Sequence, residues 1–84
     1  MTYEIIFSDN AFNQLKKMEK NIQERMIAVL ERIRVRPETY VTKLVGDPGY
    51  KLRVGNYRVI MDIDNKILEI LILKVGHRKN IFYR

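Results

Sequence analysis

The stretch from Tyr50 to Met61, YKLRVGNYRVIM, constrains the fold more than any other part of this chain. Two alternating apolar runs flank Gly55-Asn56, the pattern of a two-residue β-hairpin in which glycine supplies the positive φ that a II′ turn needs at its first central position. Closing that turn sets a register: Val54 faces Tyr57, Arg53 faces Arg58, Leu52 faces Val59, Lys51 faces Ile60 and Tyr50 faces Met61. Directly opposed residues share a face. Tyr50, Leu52, Val54, Tyr57, Val59 and Met61 therefore line one side, and Lys51, Arg53 and Arg58 the other. Opposed arginines repel, at a cost of a few tenths to ~1 kcal/mol, so the pair calls for an anion. A phosphate matches guanidinium geometry. A plain solvated sheet face would carry the same residues, so support has to come from elsewhere in the chain.

Eighty-four residues suffice for one small domain, 1–84, with a modest core. With 46% hydrophobic and 31% charged residues, the composition is that of a folded protein and not of a disordered one. The absence of cysteine excludes a disulfide framework and a thiolate metal site, and suits a reducing cytosol. No apolar run approaches the ~18 residues of a membrane span, and the start MTYEIIFSD lacks a basic-then-apolar leader pattern. A cytoplasmic location and no membrane partner are expected. The net charge of +6 is unevenly spread. Residues 1–49 hold eight Lys/Arg against seven Asp/Glu, whereas residues 50–84 hold eight against three. The basic excess thus lies in the hairpin and the C-terminal segment beyond it. An acidic protein partner fits such a field as well as RNA or DNA does.

Tyr3 to Phe7 is a short β-prone run, and Ser8 is placed to cap a helix over Asp9 to Met18 with Phe12 and Leu15 inward. Asn21 and Glu24 have capping-box spacing ahead of an amphipathic helix over Ile22 to Val35, with Ile22, Met26, Val29, Leu30 and Ile33 on its apolar face and Pro37 as its stop. The Glu24, Arg25, Glu31, Arg32 and Arg36 stripe reads as a solvated helix surface because its signs are mixed. Residues 37–49 read as a loop, with a turn at Asp47-Pro48-Gly49. A turn at Asp64-Asn65 introduces a last strand over Lys66 to Val75. That strand is apolar on both faces, as an interior strand is, with Leu68, Ile70 and Ile72 toward the helices and Ile67, Leu71, Leu73 and Val75 away from them. The expected fold is α+β: an N-terminal strand, a helical hairpin, then a three-stranded antiparallel meander (β-α-α-β-β-β), with the helices packed on one face of the sheet and the first strand beside a later one.

Gly76-His77-Arg78-Lys79-Asn80-Ile81-Phe82-Tyr83-Arg84 comes directly after that strand, with one histidine, three cations and two aromatics in nine residues. Together with Tyr50-Lys51-Leu52-Arg53 and Gly55-Asn56-Tyr57-Arg58, it resembles the RelE/ParE toxin superfamily. Members of that superfamily carry a K-x-R strand, a G-x-Y-R second strand and a terminal G-H-R-x-x-[IV]-Y type of motif. The resemblance spans the chain in element order and length, and its specificity rests on residues 50–84.

In its RelE-like branch, the resemblance implies the toxin of a toxin–antitoxin pair: an endoribonuclease that enters the ribosomal A site and cuts mRNA, with a cognate antitoxin, the ribosome and mRNA as partners. The message 2′-hydroxyl attacks its neighbouring phosphate and leaves a 2′,3′-cyclic phosphate, a reaction that needs a base, cations for the added phosphate charge and a donor for the leaving oxygen. Matched motif by motif, Lys51 is the implied base, Arg58 the phosphate stabiliser and Arg78 a stabiliser and proton donor. His77 is either an acid or base or a backbone clamp. The family tyrosine falls on Tyr83 or Phe82, depending on the gap, and only Tyr83 has a proton to donate. Arg53, Lys79, Phe82 and Arg84 would hold the RNA. No cofactor and no metal are expected, since a lone histidine without cysteine or a convergent acidic trio makes no ligand set. Some RelE-like toxins have a second lysine shortly before Lys51, where this chain has Gly49. The ParE-like alternative is a gyrase inhibitor that binds protein and cuts no RNA, and a further one is a catalytically decayed binding module.

Overall fold

The computed structural model describes residues 2–77 and 79. The chain runs β1 (Glu4–Phe7), α1 (Asp9–Lys16), α2 (Lys20–Ile33), a 3₁₀ turn (Pro37–Thr39), β2 (Thr42–Lys43), β3 (Tyr50–Val54), β4 (Tyr57–Asp64) and β5 (Glu69–His77). The strands form one five-stranded sheet in the order β1-β5-β4-β3-β2. β1 pairs parallel to β5 and every other pair is antiparallel, so the first strand does lie beside a later one and β5 is interior. The helices cover one face, giving the α+β layering that the apolar patterns imply. Their Ala11, Leu15, Met26, Leu30 and Ile33 pack on Leu52, Val54, Val59, Met61, Ile70, Ile72 and Val75 of the sheet.

Ser8 caps α1 as expected: its Oγ accepts from the Ala11 N–H at 3.1 Å and donates to the Leu73 carbonyl at 3.1 Å, tying the helix start to β5. α1 then stops at Lys16, two residues before Met18, because the chain turns back at once. Gln23 of α2 satisfies that helix end, with Nε2 donating to the carbonyls of Met18 (2.8 Å) and Lys16 (3.3 Å). Phe12, expected inward, is half exposed with the Lys16 ammonium 5.4 Å from its ring centroid.

α2 lies two residues earlier than the spacing suggests. Glu19 occupies its N-cap without a side-chain bond, and Asn21 sits inside the first turn with Oδ1 accepting from the Ile22 N–H, so no Asn21–Glu24 capping box forms. At the other end Arg34 ties the helix to β1. Its Nε donates to the Tyr3 carbonyl at 2.7 Å, its Nη1 to Glu31 Oε1 at 2.8 Å, and its own carbonyl accepts from the Tyr3 N–H. The Tyr3 hydroxyl donates to Glu38, and burial, that bond and the Glu38 and Asp64 charges hold its ionisation above the usual phenol value.

Two departures alter the sheet. The β4–β5 connection is longer than a two-residue turn: Asp64 Oδ1 accepts from the N–H groups of Lys66 and Ile67, and Leu68 adopts a left-handed φ of 56°. β5 therefore begins at Glu69, and Ile67 is exposed in the turn. Further on, β5 carries one extra residue, Leu73, between the pairs Met61–Ile72 and Ile60–Lys74. That bulge reverses the alternation beyond it. Val75, expected to face away from the helices with Leu71 and Leu73, joins Ile70 and Ile72 in the helix-facing core.

Met61, Ile70 and Ile72 are among the fully buried side chains, whose truncation costs most. Ile72→Ala should lower the unfolding free energy by about 2–5 kcal/mol, and Ile67→Ala by less than about 0.5 kcal/mol, as read by urea titration followed by circular dichroism.

Candidate nucleic-acid interface

The β3–β4 ladder has all five pairs that the Gly55-Asn56 turn demands, including Arg53 opposite Arg58. Gly55 itself has φ +60°, the left-handed value expected at the first central position of a II′ turn. Leu52, Val54 and Val59 face the helices and are buried, which turns Lys51, Arg53 and Arg58 to the opposite face. There they share the walls of a cleft of about 260 Å³ with Tyr40, Thr42 and Leu52. Arg53 is exposed and Lys51 and Arg58 are half-buried. Arg53 Nε donates to the Gly55 carbonyl at 3.3 Å, holding its guanidinium at the hairpin tip.

Tyr40 and Thr42 are contributions that the sequence patterns do not announce. Both lie in the segment that reads as a loop, and they reach the cleft because Thr42 and Lys43 form a short edge strand, pairing Thr42 with Lys51 and Lys43 with Tyr50. A two-residue strand has no periodicity to detect. Tyr40 follows the 3₁₀ turn and is 47% exposed, so an aromatic ring stands beside the three cations.

Loop 44–49 covers the rest of this face. Leu44 is buried, its N–H donating to the Gly49 carbonyl, and with Ile60, Leu73 and Lys74 it lines a second hollow of about 190 Å³. Ile60 is only 4% exposed, so much of the apolar strip expected beside the cations is closed by the chain's own loop. Gly49 sits in close approach to β4 and Leu44. A β-carbon on it would lie 3.2 Å from the Met61 carbonyl oxygen and 3.3 Å from Leu44 Cδ1.

A model of the ParE toxin of type II toxin–antitoxin systems matches residues 5–82 of this chain. The chain belongs to the ParE toxin family. A search of curated proteins returned no match. The fold is similar to that of the toxin–antitoxin complex RelBE2 from Mycobacterium tuberculosis, with a TM-score of 0.80 and 26% identity over 93% of this chain and 100% of that one. It is also similar to the archaeal RelE–RelB complex from Pyrococcus horikoshii, at 0.77 and 26% over 96% and 100% of the two chains. Likeness to the intact E. coli RelBE complex, at 0.77 and 22% identity over 89% and 95%, is a likeness of fold.

Of the family-motif residues, the fold gathers Lys51, Arg53 and Arg58 in one cleft and turns His77 elsewhere. The bulge at Leu73 pairs Gly76 with Arg58 and His77 with Tyr57, on the helix-facing side. The Tyr57 and His77 rings meet edge to face with centroids 5.5 Å apart, and His77 Nδ1 accepts from the Lys79 N–H at 3.3 Å. Lys79 is exposed. Arg78, Phe82, Tyr83 and Arg84 lie outside the described residues. Among the described residues no group of three His, Cys, Asp or Glu side chains is placed to hold a metal ion, and no helix is long and apolar enough to cross a membrane.

The close packing at Gly49 disfavours a lysine at this position. Gly49→Lys should lower stability by about 1–3 kcal/mol in urea titration, because the Met61 carbonyl and Leu44 must give by a few tenths of an ångström to admit a β-carbon.

Proposed function

We propose that this toxin is a ribosome-dependent endoribonuclease that cuts mRNA in the ribosomal A site, acting in the cytoplasm and silenced by a cognate antitoxin. The observation that carries this reading is the directly opposed pair Arg53 and Arg58, with Lys51 on the same face of the same cleft. Two guanidinium forks beside one lysine side chain match the need of a single phosphodiester whose charge grows during reaction. Tyr40 offers a ring on which an unpaired base stacks.

In this reaction the 2′-hydroxyl loses its proton to Lys51 as its oxygen attacks the adjacent phosphorus. Arg58 and Arg53 hold the non-bridging oxygens of the resulting phosphorane. The bond to the 5′-oxygen then breaks, that oxygen takes a proton, and a 2′,3′-cyclic phosphate and a free 5′-hydroxyl are left. The family motif assigns the donor role to Arg78, with Tyr83 or Phe82 against a base. This reading gives His77 no proton to transfer, a choice supported by its ring contact with Tyr57 on the side of the sheet away from the cations. No step calls for a metal ion or a cofactor.

The matched family model favours one second reading, a ParE-like toxin that poisons gyrase and leaves RNA intact. The relatives solved as toxin–antitoxin complexes support an antitoxin partner under either reading, and a basic cleft suits an acidic covering segment.

Primer extension on a message in a translating extract separates the two. Stops at A-site codons are expected, with Arg58→Ala lowering cleavage by about 10²-fold or more and His77→Gln changing it less than about threefold. Intact message with accumulating DNA breaks would favour the gyrase reading.

A further inference from the structure

The mixed-charge stripe of α2 is not uniform once folded. Arg25 leaves it and lies on the hairpin tip. A β-carbon built on Gly55 would be 3.3 Å from both Nη atoms of Arg25 and 3.4 Å from Cζ. Three nearly equal distances mean that the guanidinium turns its flat face to the glycine, with its N–H edges directed elsewhere. Gly55 is thus held between two arginines, since Arg53 Nε donates to its carbonyl at 3.3 Å. Any side chain at position 55 would push Arg25 away, so the residue that closes the turn also seats this guanidinium.

Arg25 and Arg53 therefore flank one turn residue from opposite sides of the sheet, and Arg53 faces Arg58 in the cleft. Glu31, six residues further along α2, is engaged by Arg34 at 2.8 Å. Among the described residues Arg25 has no carboxylate within 4.0 Å and no hydrogen-bond partner. A planar fork with a packed face and open donor edges is ordered for an anion in advance, which reduces the side-chain entropy lost on binding.

We infer that Arg25 is an additional phosphate-binding residue, taking the RNA backbone as a single strand leaves the Lys51/Arg53/Arg58 cleft and passes round the hairpin tip toward α2. This rests on the endoribonuclease reading and extends its substrate track beyond the scissile phosphate. Arg25 is a positioning residue: it grips a flanking phosphate and touches no reacting atom.

The test is binding of a short, uncleavable 2′-O-methyl oligoribonucleotide to the full chain across a salt series. Arg25→Ala should weaken binding on the order of tenfold at low salt and reduce the slope of log K against log salt by about 0.7, the value for one single-strand phosphate. Arg25→Gln, which keeps a polar side chain without the charge, should show the same loss. Arg32→Ala, an equally exposed arginine two turns further along α2, should lose much less. In the cleavage assay Arg25→Ala should raise KM and leave kcat within about twofold. Equal losses for Arg25→Ala and Arg32→Ala would reveal only a diffuse field and overturn the inference. Unchanged binding in Arg25→Ala, with loss in Arg53→Ala and Arg58→Ala, would overturn it while the cleft reading stands. A wild-type chain without affinity for the oligonucleotide would overturn the inference, and absence of A-site stops in the translating extract would overturn the endoribonuclease reading itself.

Discussion

The left-handed backbone at Gly55 sets the register of the β3–β4 ladder, and from that register comes the meeting of Arg53 with Arg58. A slip of one residue would send Lys51, Arg53 and Arg58 into the helix-packed core and bring Leu52, Val54 and Val59 out to water. Burial of those apolar residues thus defends the cationic face as strongly as it defends the core. The repulsion between the two guanidiniums is small beside the free energy of burying several aliphatic side chains, so the register that opposes them is kept. Under the proposed function, a phosphate would meet donors positioned by packing on the opposite side of the sheet.

The same principle explains the separations within the fold. One extra residue at Leu73 reverses the sides of β5, so that Val75 enters the core and His77 turns toward Tyr57 instead of toward the cleft. Gly76 is left opposite Arg58 and adds no side chain beside it. The bulge therefore divides the terminal motif's histidine from the cations with which it shares the sequence pattern. Proximity along the chain is a weak guide to proximity at a site when a strand changes phase between the two.

Some of these features can be read from residues alone and others cannot. The hairpin register is legible because Gly55-Asn56 and strict alternation leave one pairing, and Ser8 is legible as a cap because the apolar run begins directly after it. The α+β order and the neighbouring of β1 with a later strand come from segment types and from the doubly apolar last strand. The bulge is not legible, since Leu73 is as apolar as its neighbours and either phase buries aliphatic side chains. Nor is β2, whose two residues pair only because β3 offers an edge. Tyr40 and Thr42 stay hidden for that reason, and Arg25 because its partner is a glycine on a distant turn. Asn21 and Glu24 have cap spacing, yet the helix starts earlier, where the short connection and Gln23 hold the end of α1.

The central claim is that one RNA phosphate sits between Arg53 and Arg58. A structure of the chain bound to an oligoribonucleotide carrying a 2′-O-methyl group at the cleavage point tests it most directly. Non-bridging oxygens of one phosphate are expected within hydrogen-bond distance of both guanidiniums, with the blocked 2′-oxygen beside Lys51. A strand seated on the helical layer, or on the sheet with these three side chains turned away from it, would contradict the claim.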